Sequence, residues 1–121
     1  MYKILTNDDI LIYGDGEQTR AFTYVYDNLE PLWNAAVLPE ASKQIINLGG
    51  TIPYTINESC DILCNITGYD KVKHAEARHE VKWAVPTYQK SIDILKFEHK
   101  ISLEDGIKNM WEWAQKQPDR S

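Results

Sequence analysis

Apolar positions along this chain follow two periods, short β-like runs and longer helical stripes. Residues 10–13 (Ile-Leu-Ile-Tyr) and 21–25 (Ala-Phe-Thr-Tyr-Val) have the length and the β-branched and aromatic content of strands. Gly14-Asp15-Gly16 between them is a turn signal. Asp27 and Glu30 have the spacing of a capping box, and Leu29, Leu32, Trp33, Ala36 and Val37 then share one helix face, up to about Pro39. Residues 44–48 (Gln-Ile-Ile-Asn-Leu) predict a third strand, closed by Gly49-Gly50. Thr55 and Glu58 form a second capping box ahead of a stripe of Ile56, Cys60, Leu63, Cys64 and Thr67. Gly68 suits the left-handed residue that ends such a helix. Short strands are predicted at 71–75 and 81–85, and a helix from Pro86-Thr87 to about Leu95. Ser102 with Asp105 opens the last helix, whose stripe is Leu103, Ile107, Met110, Trp111 and Ala114. Met1–Leu5 reads as the tail of a helix already under way.

These elements describe one mixed α/β (α+β) domain over residues 1–121, with short strands and about four helices. No internal repeat or linker interrupts it. A doubly wound cofactor fold would need more strand–helix units and a glycine-rich first turn, and the sequence has neither. Composition agrees with a packed domain: 43% hydrophobic and 26% charged residues, with four Trp and seven Tyr. The net charge of −5 argues against a general nucleic-acid binder but leaves room for a small anion held by a few arginines. No apolar run approaches the roughly 20 residues of a membrane span, and no leader peptide is visible. Cys60 and Cys64 lie on one helix face, where a disulfide is sterically disfavoured, so the expectation is two reduced core thiols in a cytoplasmic protein.

Arg20, placed after the glycine turn, is the leading candidate for chemistry, because its planar fork of donors matches phosphate oxygens. The string Gly14-Asp15-Gly16-Glu17-Gln18-Thr19-Arg20-Ala21-Phe22-Thr23-Tyr24-Val25-Tyr26-Asp27 resembles the G-D-G-x-Q-x-R-D-[FY]-x-[YH]-V-x-D segment of the extended short-chain dehydrogenase/reductases, the nucleotide-sugar epimerases and dehydratases. Ala21 departs from the usual aspartate. Ile46-Asn47-Leu48-Gly49-Gly50, Thr55-Ile56-Asn57-Glu58, Glu76-Ala77-Arg78-His79-Glu80-Val81-Lys82 and Ile101-Ser102-Leu103-Glu104-Asp105-Gly106-Ile107 resemble further segments of that family, in its order and near its spacing, from about residue 10 to about residue 115.

The resemblance implies a fold and a role. This chain would be the substrate-binding C-terminal part of such an enzyme, lacking the Rossmann half that carries NAD and the catalytic residues. It implies that Arg20 and Arg78 meet the pyrophosphate of a nucleotide sugar, that Leu11 and Tyr13 lie near the base, and that Glu80 approaches the ribose. No catalytic or cofactor-binding residue is expected in this chain, and no metal. The Arg-His-Glu-Val form points to a 4-epimerase over a 4,6-dehydratase, and to UDP over dTDP or GDP. In the parent enzyme a tyrosine base and NAD would carry a hydride cycle at the sugar C4, inactive in this chain alone. A free-standing nucleotide-binding or protein-interaction module is the rival reading. Where a cofactor domain would pack, the chain is expected to expose apolar surface and to self-associate.

Three patterns mislead. Gly14-Asp15-Gly16 is no dinucleotide fingerprint, since Thr19 replaces the third glycine and a strand follows. Tyr69 and Lys73 have the Y-x-x-x-K spacing of the family's catalytic pair but follow the helix-ending Gly68 into a strand-like run. His74, His79 and His99 have no metal-ligand spacing with the cysteines.

Overall fold

The computed structural model describes residues 1–117. Their elements are α1 (Tyr2–Leu5), β1 (Ile10–Tyr13), β2 (Thr19–Ala21), a 3-10 turn (Val25–Asn28), α2 (Leu29–Val37), a second 3-10 turn (Pro39–Ala41), β3 (Pro53–Thr55), α3 (Ile56–Thr67), β4 (Val72–Ala75), β5 (Trp83–Ala84), α4 (Gln89–Asp93) and α5 (Leu103–Gln115). This is the small mixed α+β domain that the sequence predicts. The strands form two small sheets. In one, β1 and β4 run parallel, with Ile10 beside Val72 and Tyr13 beside Ala75. In the other, β2 is central, antiparallel to β3 and parallel to β5, with Arg20 between Tyr54 and Ala84.

Local signals set the two long helices as predicted. The Thr55 hydroxyl accepts from the Glu58 N–H at 3.0 Å, and the Glu58 carboxylate accepts in return from the Thr55 N–H at 2.7 Å. Gly68 closes α3 at φ +70°. Ser102 caps α5 by accepting from the Asp105 N–H, while Glu104 and Asp105 complement the helix dipole. Helices α3 and α5 pack on each other, with Cys60 and Ala114 buried. The Cys60 and Cys64 thiols are free and 4.0 Å apart, and burial, followed by the neighbouring Cys64, pushes the Cys60 thiol up to about 11.

Several sequence expectations are corrected. Asp27 does not cap a helix. A helix starting there would need its first intrahelical hydrogen bond from residue 31, and Pro31 has no N–H. The α-helix instead starts at Leu29, so Pro31 falls in its first turn, where no donor is required, and residues 25–28 tighten into a 3-10 turn. Asp27 is thereby freed for a long-range contact, in which its buried carboxylate accepts from the N–H groups of Lys100 and Ile101 at 3.1 and 3.0 Å. The strand predicted at 21–25 is Thr19–Ala21, and that at 81–85 is reduced to Trp83–Ala84. The turn after Tyr13 closes no hairpin, because β1 and β2 belong to different sheets. The helix predicted over 86–95 is only Gln89–Asp93, and Lys96 soon after it takes a left-handed φ of +59°, which a continuing helix does not allow.

The largest correction concerns residues 44–48, which form no strand. Among the described residues, no backbone N–H from Ile45 to Gly50 donates a hydrogen bond, and Ile45 is 88% exposed. A strand-like sequence without a neighbouring strand has nothing to pair with. The apolar face of α2 is also bare, with Leu29, Leu32, Trp33 and Val37 all exposed. Removing the Asp27 carboxylate leaves two backbone donors without their charged acceptor. Asp27→Ala should therefore lower unfolding free energy by about 2–3 kcal/mol in urea denaturation, where a surface change would give under about 0.5.

Candidate functional site

Two chain segments run side by side through the site. One leaves β1, turns at 14–18 and enters β2. The other leaves β4, crosses at 76–82 and enters β5. Because β1 pairs with β4 and β2 with β5, both in parallel, the two connections bridge the same gap between the sheets. Hydrogen bonds join them at each end: the Gly14 N–H donates to Ala75 O at 3.0 Å, and the Thr19 N–H donates to Lys82 O at 2.8 Å. His74 Nδ1 lies 2.8 Å from Gly14 O. A cleft of about 210 Å³ lies between the connections, and Tyr13, Gln18, Arg78, Glu80 and Lys82 line it.

The turn is built for close approach. Gly14 and Gly16 have φ of +72° and +76°, a region that costs little only for glycine. A Cβ on Gly16 would collide with the Asn57 side chain. That side chain clamps the turn by donating to Asp15 O at 2.9 Å and to the Glu17 carboxylate at 2.8 Å. Asn57 is presented by the first turn of α3, so the helix cap and the site turn are one assembly.

The structure gathers four of the five predicted residues. Arg20, on the central strand β2, is paired with Glu80: Nη2 and Oε2 are 2.8 Å apart, across 60 residues of sequence. Its Nη1 donates to Thr19 O. The Arg78 guanidinium lies over the Tyr13 ring, 3.3 Å from its centroid, a cation–π arrangement that fixes the ring and leaves the fork's edge for hydrogen bonding. Leu11 stands apart. It shares Tyr13's face of β1 by strand alternation, but it is exposed and borders a different, apolar cavity of about 380 Å³ between β1, α3 and α5.

Gln18 was not singled out from sequence, and it ties the site together. Its buried amide donates to Tyr13 O at 2.9 Å and to Glu80 Oε1 at 3.0 Å. Its place in the G-D-G-x-Q-x-R string was the available signal. Lys82 adds a second exposed cation at the rim.

The misleading patterns have structural uses. The Tyr69 hydroxyl donates to Asp8 O, and Lys73 pairs with Asp9 at 2.6 Å. Desolvation, with Asp9, Asp8 and Asp70 nearby, raises the Tyr69 pKa, the opposite of what a tyrosine base requires. His99 bridges Thr51 and Ile101 O. Among the described residues no group of three His, Cys, Asp or Glu side chains is placed to hold a metal ion. Also among them, no helix is long and apolar enough to cross a membrane.

No family model matches the chain, but solved structures and curated proteins do. The UDP-glucose 4-epimerase of Thermotoga maritima, solved with UDP-glucose, superposes at a TM-score of 0.85 with 31% identity, over 94% of this chain and 37% of its own. Another solved epimerase of this fold contains NAD together with UDP-glucuronic acid. A UDP-N-acetyl-α-D-glucosaminuronate decarboxylase from Bacillus cytotoxicus is 32% identical over 90% of this chain and 36% of its own. A UDP-glucuronate 4-epimerase from Thermodesulfobacterium geofontis is 34% identical over 87% and 33%. The chain belongs to the extended short-chain dehydrogenase/reductases, among their nucleotide-sugar epimerases, decarboxylases and dehydratases, and matches a C-terminal portion of them. It spans about a third of the length of these relatives.

The Gly16 constraint is open to test. Gly16→Ala places a Cβ at positive φ against Asn57, so thermal or urea unfolding should show a loss of about 1–3 kcal/mol. Gly68→Ala, where φ is also positive but the space is open, should cost less.

Proposed function

We propose that this chain is the nucleotide-sugar-binding part of an NAD-dependent epimerase acting on a UDP-sugar. One observation carries this reading: Arg78 lines a small polar cleft, and Glu80, another residue of its lining, holds Arg20 of strand β2 beside it. A diphosphate brings about two negative charges, and hydrogen bonds from ionised donors to such oxygens contribute about 1.5–3 kcal/mol each. In this reading Arg20 and Arg78 take the diphosphate, Tyr13 and Leu11 flank the base, and Glu80 turns to the ribose. The chain would supply grip and orientation for a reaction whose hydride chemistry belongs to NAD, held elsewhere in the enzyme. The epimerases solved with UDP-glucose and with UDP-glucuronic acid and NAD support that ligand pair. Three relatives favour a second reading, a UDP-uronate decarboxylase. The two readings differ outside this chain and share the same UDP grip.

The uncovered apolar face of α2 and the unpaired residues 45–50 support a cofactor-binding unit as physical partner, with a sheet edge for residues 44–48 and an apolar surface for Leu32 and Trp33. Free thiols 4.0 Å apart fit a reducing, cytoplasmic setting.

Calorimetric titration with UDP tests the site. Arg20→Ala and Arg78→Ala should each weaken binding by about 1.5–3 kcal/mol, and unchanged affinity in both would sink the assignment. With α2 bare, the isolated chain should self-associate, its light-scattering mass rising with concentration. A constant monomer mass would count against an unmet partner face.

A further inference from the structure

Arg20 is paired with a carboxylate of its own chain. Glu80 Oε2 lies 2.8 Å from its Nη2, and the other oxygen, Oε1, accepts from the Gln18 amide at 3.0 Å. Gln18 is anchored in turn on Tyr13 O. One carboxylate oxygen therefore sits where an anion on Arg20 would sit, and the other is held in place by Gln18. The other terminal nitrogen of Arg20, Nη1, donates to Thr19 O at 2.8 Å. The Arg20 and Glu80 side chains are only 25% and 36% exposed, so among the described residues this pair is less screened than the other ion pairs.

We infer that Glu80 is a built-in competitor for the phosphate seat of Arg20: an anionic ligand binds by displacing its carboxylate, and Glu80 sets the affinity of the site. This rests on the reading of Arg20 as a phosphate ligand. A carboxylate and a phosphate oxygen seek the same guanidinium donors in the same plane. A phosphate oxygen taking the Nη2 donor that Glu80 holds must push the carboxylate aside, and two anions on one nitrogen repel each other, so ligand binding is an exchange of one anion for another. Glu80 lies in the connection between β4 and β5, outside either ladder, and can swing out without breaking a strand pair. The net charge of −5 makes such an intramolecular brake stronger at low salt, where repulsion also opposes the ligand.

Inorganic pyrophosphate is the decisive probe, because it has no ribose for Glu80 to contact. Its affinity is read from the arginine Nε–Hε resonances, which report millimolar as well as micromolar binding. Glu80→Gln should bind pyrophosphate about three- to fivefold more tightly than wild type, the range set by a partly exposed ion pair. The gain should vanish in the Arg20→Ala background, as a double-mutant cycle requires of a direct competition. In the wild-type protein, saturating pyrophosphate should move the Glu80 side-chain carboxyl carbon resonance away from its paired position. An unchanged or weaker affinity in Glu80→Gln, no binding to either protein, a gain that survives Arg20→Ala, or a stationary Glu80 resonance would each overturn the inference. UDP separates this outcome from failure of the proposed function. If UDP binding needs Arg20 and Arg78 but pyrophosphate gains nothing from Glu80→Gln, the competitor is wrong and the site stands. If UDP ignores both arginines, the site itself is wrong.

Discussion

Everything in the candidate site depends on two parallel strand pairings. Parallel neighbours cannot be joined by a tight turn, so the chain between β1 and β4 must make a long excursion, here through β2, β3 and α3. When it returns, β4 lies beside β1 and β5 beside β2, so the 76–82 connection is laid against the 14–18 turn. The cleft is the gap between two connections that cannot merge. Its residues come from loops held at both ends by backbone hydrogen bonds, which combine adaptable side chains with fixed anchor points.

The electrostatics of this cleft are local. An acidic chain still places Arg78 and Lys82 on one small cleft, with Arg20 joined to it through Glu80, and each cation is handled differently. Arg20 is neutralised by Glu80, Arg78 is stacked on Tyr13, and Lys82 is exposed at the rim. Pairing gives one guanidinium an internal counter-charge and stacking gives the other an aromatic face, and both arrangements leave guanidinium edges that an anion can compete for. Gln18 couples them, since one amide touches the Tyr13 backbone and the Glu80 carboxylate.

What was legible in the sequence follows from the range of each interaction. Caps at Thr55 and Ser102 and the left-handed Gly68 are decided within a few residues, and they appear where the sequence puts them. Asp27 had the same local spacing, but Pro31 removed the donor that a cap there would have needed, and the carboxylate went to Lys100 and Ile101 instead. Arg20 and Arg78 stood out through their surrounding strings. The Gln18–Glu80–Arg20 linkage did not, because it joins residues about 60 apart and depends on the parallel register of β2 and β5.

The strand pattern at 44–48 fails for a further reason, and it constrains what could complete the fold. A bare apolar helix face can be covered by almost any apolar surface, a second copy of the chain included. An unpaired strand-like backbone is more demanding, because its donors and acceptors need a regular ladder of partners. Here both lie on the chain between β2 and β3, with only a 3-10 turn between α2 and residues 44–50. A partner that met only the helix would leave six backbone donors unpaired, and one that met only the strand would leave Leu32 and Trp33 in water. A layered unit with an open sheet edge and an apolar flank meets both demands at once, whereas self-association through α2 meets only the first.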